Sequence, residues 1–115
     1  MEHHMYPDVS KDLAQKRRQL APEIYGAFRA FGQVVFADGA LPSKTKQLIA
    51  VAVAHATQCP YCIRGHTELA LKKGAKEQEI MEAIWVAAEM RAGAAYAHSV
   101  LAIDTMNQAE AKPAA

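Results

Sequence analysis

Apolar residues recur along this chain at three- and four-residue spacing, and no convincing run alternates with period two, so every segment reads as helix. A first helix is predicted from Asp8 or Ser10 to Leu20, with Leu13, Arg17 and Leu20 along one side. Pro22 opens a second at a first-turn position, where its missing N–H costs nothing. The stripe of that helix is Ile24, Phe28, Phe31 and Val35. A third follows Leu41-Pro42 with Ser43 as its N-cap. It runs from Lys44 to about Thr57, is apolar nearly all round after Gln47, and is predicted to be the buried central helix. Pro60 begins a fourth, which Gly74 closes after Lys72-Lys73. A fifth covers about Glu77 to Arg91, with Ile80, Ile84, Trp85 and Ala88 facing inward. Gly93 bends or breaks it before a last helix, Ala94 to about Met106. The expectation is an all-α fold of about six helices in a single domain, residues 1–115, with 1–8 and 108–115 frayed.

Composition narrows the class. Half the residues are apolar (51%) and 22% are charged, as in ordinary globular domains. A core of this size is limited, so a subunit interface would help the fold. Thirteen basic and twelve acidic residues are interspersed, without the basic stripe that nucleic acid needs or a polybasic membrane patch. The longest apolar run, Leu48–Ala54, is far short of a membrane span. The N-terminal MEHHMYPDVSKD has no apolar core and does not read as a signal peptide, so a cytoplasmic location is expected. In that compartment a Cys-x-x-Cys pair is catalytic or metal-binding more often than structural.

The chemistry concentrates in His55-x3-Cys59-x2-Cys62-x3-His66. If Pro60 starts a helix, Cys59 falls at or next to its N-cap and Cys62 in its first turn, where unpaired N–H groups stabilise a thiolate. His66 is one turn beyond Cys62 on the same face and can accept a proton from a thiol. His55 is one turn before Cys59. Zinc bound by all four residues has suitable ligand types, but they fall within twelve residues without the loop that separates ligand pairs in familiar sites. Two inert packed thiols remain the plain alternative. A haem attachment site needs His directly after the second cysteine, where Ile63 stands. Cys-Pro-Tyr-Cys matches glutaredoxin, but that motif needs a βαβ sheet and this chain offers no strands. His3 and His4 lie in a leader and read as inert, and His98 reads as a packing histidine. Trp85, Met81, Met90 and Met106 read as core or interface.

From Lys44-Thr45-Lys46-Gln47-Leu48-Ile49-Ala50, through Cys59-Pro60-Tyr61-Cys62-Ile63 and His66, to Ala70–Ala75 and Arg91–His98, the chain resembles the carboxymuconolactone decarboxylase superfamily on its AhpD-like (alkyl hydroperoxidase D) branch. The likeness covers about Leu20 to Met106. It implies an all-α fold whose subunits associate as trimers or hexamers, and a thiol-dependent peroxidase acting on organic hydroperoxides or H₂O₂. On that analogy Cys62 attacks the peroxide and becomes a sulfenic acid, Cys59 closes the disulfide, and His66 serves the proton relay. A dithiol donor, lipoyl-bearing or thioredoxin-like, reopens the disulfide. No cofactor or metal is implied. One position departs from the family pattern. A glutamate usually stands twelve residues before the first cysteine, and here that position is Gln47, which cannot exchange a proton at neutral pH. Either the relay runs without it, or His55 takes over, or the protein is a thiol–disulfide carrier or sensor with weak peroxidase activity. A zinc-binding or structural role and lactone decarboxylation are the remaining classes.

Overall fold

The computed structural model describes residues 5–112, so His3 and His4 lie outside the described residues. Within them the chain forms five helices and no strand: α1 (Lys11–Leu20), α2 (Pro22–Phe36), α3 (Ser43–Ala56), α4 (Pro60–Lys72) and α5 (Glu77–Ala111). The all-α expectation holds, with one helix fewer than the sequence pattern predicted.

The local punctuation explains most boundaries. Ser10 caps α1 by accepting from the Leu13 N–H at 3.2 Å. Pro22 occupies the first turn of α2. At α3 the cap differs from expectation. Ser43 is the first helical residue rather than the cap, and its N–H is satisfied by Asp38 Oδ1 at 2.6 Å, reached across the α2–α3 loop. Cys59 is the N-cap of α4 and Pro60 its first residue. Gly74 ends α4 in a left-handed conformation (φ 92°) that favours glycine. The Ala75 N–H then returns to the Ala70 carbonyl and the Gly74 N–H to that of Leu71, a Schellman closure. Glu79 accepts from the Lys76 N–H at the start of α5 (2.9 Å) and pairs with Lys44 of α3 (3.0 Å).

The missing helix break is at Gly93. A helical glycine costs only about 1 kcal/mol relative to alanine. Strong helix formers flank it and no proline follows before Pro113, so α5 continues for 35 residues into the tail expected to fray. At 1.5 Å per residue that helix is about 52 Å long.

The core lies where α3 packs between α4 and α5. Val51, Ala70, Ala75 and Ile80 are buried together, with Leu48 and Ile84 against them. Thus α3 is central, as predicted, though its Ile49 and Val53 stay exposed. On α5 the inward register is Ile80, Ile84 and Ala87; Trp85 (65% exposed) and Ala88 point outward, against expectation. The whole stripe of α2 is uncovered, with Ile24, Phe28 and Phe31 exposed and no buried residue on that helix. The molecule extends over 65 × 37 × 33 Å with a radius of gyration of 20.8 Å. A compact chain of this length would have about 13 Å.

Candidate functional site

A short turn delivers the cysteines. Helix α3 ends at Ala56, Gln58 takes a left-handed conformation (φ 56°), and the Cys59 N–H bonds back to the Ala54 carbonyl at 3.0 Å. That reversal sets Cys59 at the head of α4, where its Sγ accepts from the Cys62 N–H at 3.3 Å. The two sulfurs are bonded to each other, with Cα atoms 5.2 Å apart, inside the usual disulfide range. Sulfur at this position faces the unpaired amides and the positive end of the helix, which favour a thiolate when the bond is opened.

The reversal also makes α3 and α4 antiparallel, so residues 19 apart in sequence meet. His66 Nδ1 lies 2.7 Å from Gln47 Oε1. An amide oxygen only accepts, so Nδ1 donates in this contact and Nε2 is the nitrogen left for other partners. Gln47 is 3% exposed, deep enough for the bond to escape competition from water. Phe36, the last residue of α2, stacks on the imidazole with ring centroids 5.2 Å apart and planes 29° from parallel. Cys62 and His66 both line a cavity of about 420 Å³ between α2, α3 and α4. Its other walls are mainly apolar, among them Val35, Phe36, Ile49 and Val53. Cys59 is not part of that lining, so Cys62 is the sulfur on the cavity side.

The remaining candidate stands apart. His55 Nδ1 is 2.7 Å from the Val51 carbonyl oxygen, and His55 does not line the cavity. The structure therefore joins Gln47, His66 and Cys62 in one group, with Cys59 bonded to it, and leaves His55 on its own backbone contact. His98 is exposed on the outer half of α5. Among the described residues, no group of three or more His, Cys, Asp or Glu side chains is placed to hold a metal ion. None of the described helices is long and apolar enough to cross a membrane.

Phe36 has no place in the sequence reading, and Lys46 enters it only as part of the Lys44–Ala50 stretch, without a role in the site. Lys46 donates to the Ala37 carbonyl at 2.6 Å and lines the cavity one residue before Gln47. Outside the cavity, the start of α4 is strapped by the N-terminal segment. The Tyr61 hydroxyl donates to the Pro7 carbonyl at 2.8 Å, and Tyr6 sets its ring edge-on against Tyr61.

A profile of the carboxymuconolactone decarboxylase family matches residues 22–105, which contain every member of this site. The chain belongs to that family. Among curated proteins it is 58% identical over 102 residues to the uncharacterized protein 4 in the cox locus of Paracoccus denitrificans, covering 89% of this chain and 91% of that one. It is 37% identical over 96 residues to an uncharacterized protein of Haemophilus influenzae, covering 84% of each. Among solved structures it resembles a carboxymuconolactone decarboxylase family protein from Legionella pneumophila. That match has a TM-score of 0.65 and 39% identity, over 71% of this chain and 76% of that one. A protein from Methanobacterium thermoautotrophicum matches with TM-score 0.68 and 38% identity, over 72% and 93%. The all-α fold is thus that of this family.

Proposed function

We propose that this family member is an AhpD-like thiol peroxidase that reduces hydroperoxides through Cys62. The observation that carries the reading is a bonded Cys59–Cys62 pair at a helix start, whose Cys62 shares an apolar cavity with a histidine oriented by Gln47. In the reduced protein His66 Nε2 takes the Cys62 proton. The thiolate attacks the outer peroxide oxygen, the O–O bond breaks, and the alcohol leaves with that proton. The resulting sulfenic acid is displaced by the Cys59 sulfur, releasing water and closing the disulfide. A dithiol donor, lipoyl-bearing or thioredoxin-like, returns two electrons and two protons by exchange. This cycle suits a cytoplasmic protein, since disulfides there are mostly transient and catalytic or sensing. The working unit is an assembly of copies, because one chain leaves the α2 stripe and Trp85 in water.

The test follows peroxide and thiols together after reduced protein meets cumene hydroperoxide or H₂O₂. One peroxide lost per two thiols in wild type, and none consumed by Cys62→Ser, is the expected result. Equal consumption by Cys62→Ser would remove the reading. Gln47 favours a second reading, a dithiol carrier with weak peroxide chemistry, because an amide cannot pass a proton on. Slow peroxide loss with rapid exchange against dihydrolipoamide would select it.

A further inference from the structure

The cavity lining includes one lysine, Lys46, that the peroxide chemistry does not use. Lys46 lies on the same wall as Ile49 and Val53, its ammonium makes one hydrogen bond, to the Ala37 carbonyl, and no carboxylate of the described residues is within ion-pair distance. Asp38, the acid on the neighbouring loop, spends Oδ1 on the Ser43 N–H. An ammonium carries three donors, so two remain for a ligand.

Its place relative to the sulfur follows from helix register. The contacts 47 to 66 and 54 to 59 align α3 against α4, which puts Cys62 level with Val51. Lys46 is five residues before Val51 on α3, an axial offset of about 7 Å. The lining continues past that level to Thr57, the C-cap of α3. A cavity of about 420 Å³ is in the range of sites that hold small organic ligands. It equals the liquid volume of about fourteen waters, far more than H₂O₂ fills.

We propose that the preferred oxidant is an amphipathic organic hydroperoxide bearing a carboxylate. Its apolar body lies along Ile49, Val53 and Phe36, its carboxylate accepts from the Lys46 ammonium, and its peroxide reaches Cys62. The peroxide end rests on the peroxidase reading; the anion end can be tested without turnover.

The experiment pairs two skeletons differing only in charge. Turnover is compared for 4-carboxycumene hydroperoxide and its methyl ester, and binding to oxidised protein for 4-isopropylbenzoate and its methyl ester by calorimetry. Wild type should favour the acid about tenfold or more in KM and in Kd, the scale of a charged hydrogen bond. Lys46→Met should erase that preference by raising KM and Kd for the acid to those of the ester in the same variant. Lys46→Arg should restore it. Acid and ester bound alike by wild type would overturn the proposal, and this arm needs no variant to fold. Preference for the acid in binding with neither peroxide consumed would keep the anion site and dismiss the peroxidase.

Discussion

Gln47 is the residue on which the chemistry of the site turns. Its oxygen holds His66 in one tautomer, which a carboxylate would also do, but it cannot take the proton onward. Gln47→Glu should therefore raise the rate of peroxide reduction, by up to the about 10²–10⁴-fold that a general acid–base group contributes. Gln47→Leu, which leaves the Nδ1–H unpaired, should lower it. The order Glu, Gln, Leu in stopped-flow rates is the expected outcome, and Leu equal to Gln would mean that the hydrogen bond does nothing for the reaction. At Gly74 the argument is conformational. A Cβ there meets no atom within 4 Å, so Gly74→Ala suffers only the left-handed backbone, about 1–2 kcal/mol, read as a lower urea midpoint with peroxidase activity retained.

Among the elements, α3 and α5 are joined at their heads by Lys44 and Glu79. The Lys76 N–H foremost, and then Lys44, hold the Glu79 carboxyl below its ordinary 4.5. A lowered folded-state pKa means that the ionised form is favoured in the fold. The stabilisation is present above that ordinary value and is lost as pH falls through the folded one. Glu79→Gln should be less stable than wild type at pH 7, with the gap between their urea midpoints closing on acidification; a pH-independent gap would contradict the linkage. The same elements show what was legible in the sequence. Pro22, Pro60 and Gly74 act on their own neighbours, so three helix boundaries could be read directly, while Ser10 was one of two starts offered for α1 and Cys59 was placed at or next to the N-cap of α4. The capping of Ser43 by Asp38 was not legible, because it depends on a loop fold. Continuity through Gly93 was not legible either, since a cost of about 1 kcal/mol is less than its flanking residues return. From the sequence Trp85 reads inward because α5 is apolar on several faces, and only its packing against α3 selects Ile80, Ile84 and Ala87. The motif announced His55, Cys59, Cys62 and His66 as a group and the family resemblance added Gln47, but His55 turns to the Val51 carbonyl instead, and Phe36 and Lys46 join the cavity through helix packing that no local spacing encodes.

The whole molecule has more surface than a compact chain of its mass. It exposes 9530 Å², where a compact protein of its mass exposes about 6,200 Å². The excess is several times the roughly 800 Å² that one partner contributes to an ordinary interface, and its largest apolar contributors are on α2 and the outer half of α5. Light scattering should give a mass of several chains at micromolar concentration. The pair Phe28→Asp and Phe31→Asp, both over 60% exposed in the single chain, should shift it toward the monomer and lower Tm. A wild-type mass of one chain would contradict this.

The most direct test of the central claim is intact-mass analysis after one equivalent of cumene hydroperoxide is added to the reduced protein. Wild type should lose two hydrogens as the disulfide closes. Cys59→Ser should gain one oxygen, trapped by dimedone at Cys62, and Cys62→Ser should be unchanged. Oxygen appearing on Cys59 in Cys62→Ser, at the wild-type rate, would show that the sulfur on the cavity side is not the one that meets the peroxide.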